Sequence, residues 1–364
     1  MMLSMTQGYN RGGVQTYGRR MAEILSEYAQ QRDAEMHGVS LQDDGWKPEQ
    51  HPNPVCYASF GAAAGSKPAF VALSARTALR VRPRVAVVMH TCIAPVAWVL
   101  RKSRMTGPYI LVLHGIEAWR RVDLPVRTAA AGAHRIVATT HHTVEQFAHA
   151  NEIPEERFAV IPLAIPESEA APVPPAGRDR ELRLLTAGRL TLSDASKGFD
   201  TLISATGRAR TVGANVKLRI VGAGDDLPRL QLHAAALGLD DDCVRFLGSV
   251  PDDQLRQELK DCHLFAMPSR SEGFGIVYLE AMCLGRPCIA GNHGGPPEII
   301  DDGKDGYLVE HGDVPQLTTR LLELYRDPNL RRAMGRNAAL KVESQYLFTH
   351  MRDRWFNLLD TACE

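Results

Sequence analysis

Two carboxylates, Glu272 and Glu280, stand eight residues apart in Ser-Glu-Gly-Phe-Gly-Ile-Val-Tyr-Leu-Glu, with Gly273 and Gly275 between them. The apolar run His263 to Met267, closed by Pro268, predicts a buried strand, and the polar Ser-Arg-Ser-Glu-Gly that follows cannot continue it. A helix is expected from near Gly275, because Ile276, Leu279, Ala281 to Cys283 and Leu284 share one face and Gly285-Arg286-Pro287 ends it. Free amides at a helix start, beside glycines that admit close approach, attract anions and hold hydroxyls. One carboxylate on the crest and another two turns along can grip two parts of a polyhydroxyl ligand. Equally, Glu272 can cap the helix while Glu280 is merely solvated, and the pair alone does not decide. A second pair is cationic. The predicted strand Leu182 to Ala187 ends in Gly188-Arg189, and the polar loop Thr191 to Ser196 leads to Lys197-Gly198 and a helix from Phe199 to Ala209. Arginine can bind phosphate oxygens bidentately and lysine adds a compact charge, although surface cations are ordinarily just solvated.

The longer string decides more than either pair. Glu-Gly-Phe-Gly, a second Glu eight residues after the first, then Ala-Met, Gly-Arg-Pro and Gly-Gly-Pro-Pro-Glu, run from Glu272 to Glu298 within the stretch that opens at His263 and ends at Ile300. This resembles the Glu-x7-Glu signature of the retaining glycosyltransferase family 4, whose members adopt the α/β GT-B fold of two Rossmann-like doubly wound domains facing a central cleft. The resemblance implies that a sugar moves from a nucleotide diphosphate sugar to a hydroxyl with its anomeric configuration retained, in polysaccharide or glycolipid biosynthesis. It assigns Glu272 and the amides of Phe274, Gly275, Ile276 and Val277 to the sugar and Glu280 to the ribose hydroxyls. Gly188-Arg189 and Lys197-Gly-Phe-Asp match the family's diphosphate site, so Arg189 and Lys197 are expected to meet the charge that grows as the glycosidic bond breaks. No carboxylate stands out as a nucleophile, and the family-based expectation is front-face attack with the departing phosphate taking the acceptor's proton.

Further residues follow from the same resemblance. His114-Gly115, at the end of a predicted strand Tyr109 to Leu113, is expected to act on the transition state or position the acceptor. Gly12-Gly13, before a helical pattern from Val14 through Tyr28, would lie under the donor phosphates. Gly222 opens a Gly-Ala-Gly loop near the nucleotide, where the third glycine of a dinucleotide fingerprint is replaced by Leu227. Val250 is expected near the base. Leu163-Ala164 departs from the Asn-Gly-like turn of the family.

The remaining chain must position these groups. At 364 residues it is long enough for two α/β domains. Alternating strands are expected at Val55 to Ala58, Val85 to Met89, Tyr109 to Leu113, Arg135 to Ala138 and Ala159 to Ile161, and then in a second set at Leu182 to Ala187, Leu218 to Val221, Val244 to Leu247 and Tyr307 to Val309. The expected division is an acceptor-binding domain over 1–165, a proline-rich linker over 166–180, a nucleotide-sugar domain over 181–345 and a last helix over 346–364. That helix would cross back to the first domain, with Trp355 and Phe356 as anchors.

Composition narrows the partners. No run reaches the roughly 18–20 apolar residues of a membrane span, and no signal peptide opens the chain, so a cytoplasmic protein is expected. Seven cysteines without a Cys-x-x-Cys pair suggest neither a disulfide framework nor zinc. Asp240-Asp241-Asp242 contains a formal Asp-x-Asp pattern, but its place in a turn reads as solvation. No metal and no cofactor are expected, Arg189 and Lys197 standing in for the metal, and nucleic acid is not an expected partner. Residues 1–165 carry 18 Lys and Arg against 13 Asp and Glu. Within them Arg76, Arg80, Arg82 and Arg84, and then Arg101, Lys102 and Arg104 beside Trp98, either dock on an anionic membrane that presents a lipid-linked acceptor or are the solvated ends of core-facing helices. A nucleotide-sugar epimerase or phosphorylase of the same fold, and a non-catalytic nucleotide-binding partner in a transferase complex, are the alternative functions.

Overall fold

The computed structural model describes residues 1–7, 12–50, 53, 55–170 and 181–363. Residues 8–11 of the first glycine loop and 171–180 of the proline-rich segment lie outside them. The chain divides into two compact units, one of Met1–Leu163 with Thr349–Glu364, the other of Ala164–Phe348.

The first unit is a seven-stranded parallel sheet of β1 (Met2–Ser4), β2 (His37–Ser40), β3 (Ser59–Ala62), β4 (Ala86–Val88), β5 (Tyr109–Leu113), β6 (Arg135–Ala138) and β7 (Phe158–Val160), in the order β3-β2-β1-β4-β5-β6-β7. Its helices are α1 (Gly13–Gln31), α2 (Lys67–Val81), α3 (Ala94–Lys102), α4 (Leu124–Gly132) and α5 (His141–Asn151). β5 is Tyr-Ile-Leu-Val-Leu, buried at every position, as a strand covered on both faces requires. In α1, Tyr17, Met21, Ile24 and Leu25 are buried at helical spacing against the sheet.

The second unit is a six-stranded parallel sheet of β8 (Leu182–Ala187), β9 (Val216–Val221), β10 (Val244–Gly248), β11 (Leu264–Met267), β12 (Cys288–Gly291) and β13 (Gly306–Val309), in the order β10-β9-β8-β11-β12-β13. Its helices are α6 (Phe199–Thr211), α7 (Leu227–Ala236), α8 (Asp252–Asp261), α9 (Ile276–Met282), α10 (Pro296–Ile299), α11 (Val314–Arg326) and α12 (Pro328–Gln345). Both sheets reverse direction of growth at their first strand, between β1 and β4 and between β8 and β11. In open α/β sheets that reversal opens a crevice at the carboxyl ends of the two strands, where ligands bind.

The final helix, α13 (Phe348–Cys363), belongs from Thr349 onward to the first unit. Trp355 is fully buried and its indole Nε1 donates to the Tyr17 hydroxyl at 3.2 Å. Phe356 meets Tyr28 edge-on at 5.2 Å, and the Tyr28 hydroxyl donates to Asp360 at 2.7 Å. No helix of the described residues is long and apolar enough to cross a membrane.

One expected strand is displaced. Val55 to Ala58 is not in the sheet; the strand lies at Ser59–Ala62, and β2 at His37–Ser40 has no counterpart among the expectations. His-Gly-Val-Ser reads as polar, yet it is buried throughout because His37 Nδ1 bonds Ser59 Oγ across the pair and the rings of Tyr57 and Phe60 lie over Gly38.

Candidate active site

The strand order of the second unit sets two loops side by side. Gly188 to Gly198 leaves β8 and Pro268 to Gly275 leaves β11, its neighbour. They are tied by the Arg270 amide donating to the Ser196 carbonyl at 2.7 Å. Gly198, at φ 76, packs so closely on Pro268 that a Cβ there would stand 2.5 Å from the Pro268 carbonyl oxygen.

This contact brings Lys197 to Glu272. The Nζ lies 3.6 Å from Oε2, and each side chain is 18% exposed. The pair is half-withdrawn from water but open to a ligand. The Lys197 ammonium also lies directly over Gly188, where a side chain would crowd it. Behind Glu272, Gly275 holds the left-handed conformation (φ 89) that starts α9, and a Cβ there would collide with the Tyr278 ring. Tyr278 is buried and donates its hydroxyl to the Met267 carbonyl at 2.7 Å, which pins the start of α9 to the end of β11. Burial first, and the Glu272 charge second, keep that phenol protonated far above its ordinary range. Sequence reasoning missed Tyr278, whose role depends on the strand end eleven residues earlier.

Four backbone donors follow Glu272 closely in the chain. Among the described residues, the amides of Phe274, Gly275, Ile276 and Val277 donate to no protein acceptor, as expected for a loop entering a helix. Phe274 is buried and faces Tyr346 edge-on at 6.4 Å, whereas Ile276 and Val277 are half-buried. Glu280 sits in the second turn of α9, also half-buried.

Arg189 is engaged elsewhere. Its Nε and Nη2 meet the two oxygens of Asp194 at 2.9 and 3.2 Å, and Thr191 Oγ1 donates to the same carboxylate at 2.9 Å. Arg189 is nevertheless 77% exposed, so the guanidinium is held at the loop surface rather than sealed in it. Asp194 was not a candidate from sequence; a carboxylate five residues after an arginine in a polar loop carries no signal of its own.

Gly222 and Val250 close the other side. Gly222, at φ 144, lies against the Gly188 carbonyl so closely that no side chain fits, and Gly224 does the same to Leu190. The Gly-Ala-Gly loop therefore buttresses the β8 loop directly. Gly222 N donates to Gly248 O at 2.8 Å, and Val250 follows, buried. The ends of β10, β9, β8 and β11 thus form one continuous row. Asp240 to Asp242 lie at the other end of β10, in an exposed turn where Asp240 accepts from the Cys243 amide and Asp242 pairs with Lys217 at 2.8 Å. Among the described residues no cluster of three or more His, Cys, Asp or Glu side chains could hold a metal.

The first unit holds the other candidates. His114 follows β5, and its Nε2 lies 2.6 Å from the Met89 carbonyl. Nε2–H therefore donates and Nδ1 keeps a lone pair for a ligand. Burial lowers its pKa, and Glu117, Met89 and His90 modify the shift less, so the ring is neutral near pH 7. Glu117 Oε1 accepts from the His114 amide at 2.7 Å and fixes the turn. His90, after β4, lies 6.3 Å away ring to ring, and Tyr17 meets His114 edge-on at 5.2 Å. Gly12 is the N-cap of α1, and among the described residues a Cβ on Gly13 would meet nothing within 4 Å.

The chain is similar to known glycosyltransferases. Two family models divide the chain: Glycosyltransferase Family 4 matches residues 11–169 and Glycosyl transferases group 1 matches 172–341. A GDP-mannose-dependent alpha-(1-6)-phosphatidylinositol monomannoside mannosyltransferase of Mycolicibacterium smegmatis is 28% identical over 92% of this chain and 91% of its own. The monoacylated-substrate counterpart of Corynebacterium glutamicum is 36% identical over 45% of this chain and 44% of its own. Among solved structures, Anabaena HepE in complex with UDP superposes with a TM-score of 0.79 at 20% identity, covering 99% of both chains. Sucrose-phosphate synthase of Thermosynechococcus elongatus does so with 0.79 at 19%, covering 99% of this chain and 98% of that one. The chain, two parallel-sheet Rossmann-like domains of the GT-B type, belongs to glycosyltransferase family 4 and is a glycosyltransferase.

Proposed function

We propose that the enzyme moves a hexose from a nucleoside diphosphate hexose to an acceptor hydroxyl with retention of configuration and without a metal ion. The observation that carries this reading is the Lys197–Glu272 pair at 3.6 Å beside four unengaged amides. A carboxylate and free N–H groups suit sugar hydroxyls, and an ammonium a hydrogen bond's length further suits the phosphate on the anomeric oxygen. Glu280 is assigned to the ribose, and Arg189 to the diphosphate once a ligand competes it away from Asp194.

In the proposed step the bond from the anomeric carbon to the phosphate oxygen breaks and that carbon bonds to the acceptor oxygen on the same face. The acceptor proton passes to the departing phosphate, whose charge Lys197 and Arg189 meet. His114, neutral with a free Nδ1, is the candidate acceptor-side residue. The first donor to test is GDP-mannose, after the mannosyltransferase relatives, and the first acceptor class a glycosylated phosphatidylinositol, met at the cytoplasmic face of a membrane in glycolipid or polysaccharide synthesis.

The test incubates the full chain, with chelator, with GDP-mannose or UDP-glucose and a mannosylated phosphatidylinositol, and reads the product's anomeric configuration by NMR. A new α-linked hexose supports the reading. Inversion, or dependence on added magnesium, overturns it. Conversion of donor alone would indicate an epimerase, phosphate-dependent release a phosphorylase, and nucleotide binding without turnover a non-catalytic partner.

A further inference from the structure

The first unit carries a concavity that the transfer reaction does not use. It has a volume of about 370 Å³ and is lined by Trp98, Arg101, Lys102, Arg104 and Gly132. α3 supplies the first three, Arg104 follows its end, and Gly132 ends α4. Because α3 leads into β5 and α4 into β6, the concavity lies at the amino ends of the strands. His114, by contrast, follows the carboxyl end of β5.

Its charges are unbalanced. Arg101, Lys102 and Arg104 are exposed, and among the described residues none of them forms an ion pair; the Lys102 ammonium lies 5.9 Å from the Trp98 ring centroid. One cation in the last turn would suit the negative end of α3. Three there repel one another well within a Debye length. Two more cations, Arg82 and Arg84, lie outside the lining on the segment whose Pro83 carbonyl accepts from the Gly107 amide at 2.8 Å, likewise exposed and without an ion pair among the described residues. Arg104 holds φ 57, a left-handed helix end that glycine adopts without strain, so the turn itself does not call for arginine. Gly132 packs against the indole edge so closely that a Cβ there would come within 2.8 Å of Trp98 Cδ1, which seats the ring against the end of α4.

We propose that this concavity binds a phosphate-bearing ligand, with the phosphate on Arg101, Lys102 and Arg104 and the organic body across Trp98. Guanidinium forks match phosphate oxygens, and the indole face takes the apolar or hydroxylated remainder. The volume exceeds what a bare phosphate fills. A lipid headgroup and a soluble phosphate ester offer the same chemistry. The inference rests on these residues alone, not on the proposed reaction.

The experiment uses the full chain in two arms: calorimetric titration with glycerol 3-phosphate, and flotation with vesicles of phosphatidylcholine alone or doped with phosphatidic acid. R101A/K102A/R104A should weaken whichever binding occurs by at least about tenfold, with UDP or GDP binding and the circular-dichroism melt unchanged. Arg104→Gly, which relaxes the turn, should raise stability slightly yet weaken binding, and it keeps the test open if the triple variant folds poorly. Binding of glycerol 3-phosphate identifies a soluble ester as sufficient; binding to doped vesicles only identifies the lipid headgroup. If the wild type binds neither probe, or the variants bind as the wild type does, the proposal is wrong.

Discussion

Lys197 and Glu272 are separated by 75 positions in the chain and by 3.6 Å in the fold. Their meeting follows from the adjacency of β8 and β11, the two strands at which the second sheet changes its direction of growth. A partly exposed pair of this kind contributes only about 0–1 kcal/mol to stability, which leaves chemistry as the better account of its place. Lys197→Ala is therefore expected to lower kcat by about 10²- to 10³-fold while shifting the melting temperature little and KM for the donor less than kcat. Steady-state kinetics beside a thermal melt checks this, and near-wild-type turnover would remove Lys197 from the mechanism.

Asp194 holds Arg189 by two oxygens at the loop surface. A diphosphate that recruits Arg189 must compete with that carboxylate and also sits near its negative charge. Asp194→Asn should accordingly tighten UDP or GDP binding by about three- to tenfold, on the scale of a charge-assisted hydrogen bond, with the gain shrinking as salt is added. Calorimetry at two ionic strengths reads it out. Weaker binding would mean instead that Asp194 aims the guanidinium.

How far these contacts could be read beforehand differs by element. β5, β6 and β8 were legible to the residue, because runs such as Tyr-Ile-Leu-Val-Leu, five residues long between Gly107-Pro108 and His114-Gly115, are too short for an ordinary helix and suit a buried strand. β2 and β3 were not, because Gly38 and His37 owe their burial to Tyr57, Phe60 and Ser59 rather than to their own hydrophobicity. Glu272 and Lys197 were likewise legible as candidates. Their pairing was not, since it depends on strand order, and neither was the capture of Arg189 by Asp194, which depends on the fold of one loop.

His114 is neutral because burial, the largest influence, outweighs the opposing pull of Glu117. His90, His37 and His134 are lowered by burial in the same direction. Each binds a proton more readily unfolded than folded, so their contribution to stability is full above the ordinary histidine value of about 6.5 and declines as pH falls below it. The melting temperature should drop as pH falls below about 6.5, and His114→Gln should reduce that dependence. Differential scanning calorimetry across this range decides it; an unchanged slope in the variant would exclude His114 as a contributor.

Trp355 joins the last helix to α1 through one hydrogen bond and a fully buried indole. Trp355→Ala should cost about 3–5 kcal/mol by loss of buried area and the cavity it leaves. Tyr17→Phe, which keeps the volume but leaves the indole N–H without its acceptor, should cost about 1–3 kcal/mol. Denaturant titrations separate the two, and similar losses from both would assign the stabilisation to the hydrogen bond rather than to packing.

Gly222 and Gly213 both hold positive φ, at 144 and 85, but their surroundings differ. A Cβ at Gly213 meets nothing within 4 Å, so Gly213→Ala should cost only the backbone strain, about 1–2 kcal/mol. A Cβ at Gly222 would be driven into the Gly188 carbonyl, on the loop that carries Arg189 and Lys197. Backbone cannot rotate aside as a side chain would. Gly222→Ala must therefore move the β8 loop or disrupt the β8–β9 pair, and it should abolish nucleotide binding where Gly213→Ala leaves it intact. Tight nucleotide binding by a folded Gly222→Ala variant would show that the β8 loop can shift without loss of the donor site, and that Gly222 is a packing residue only.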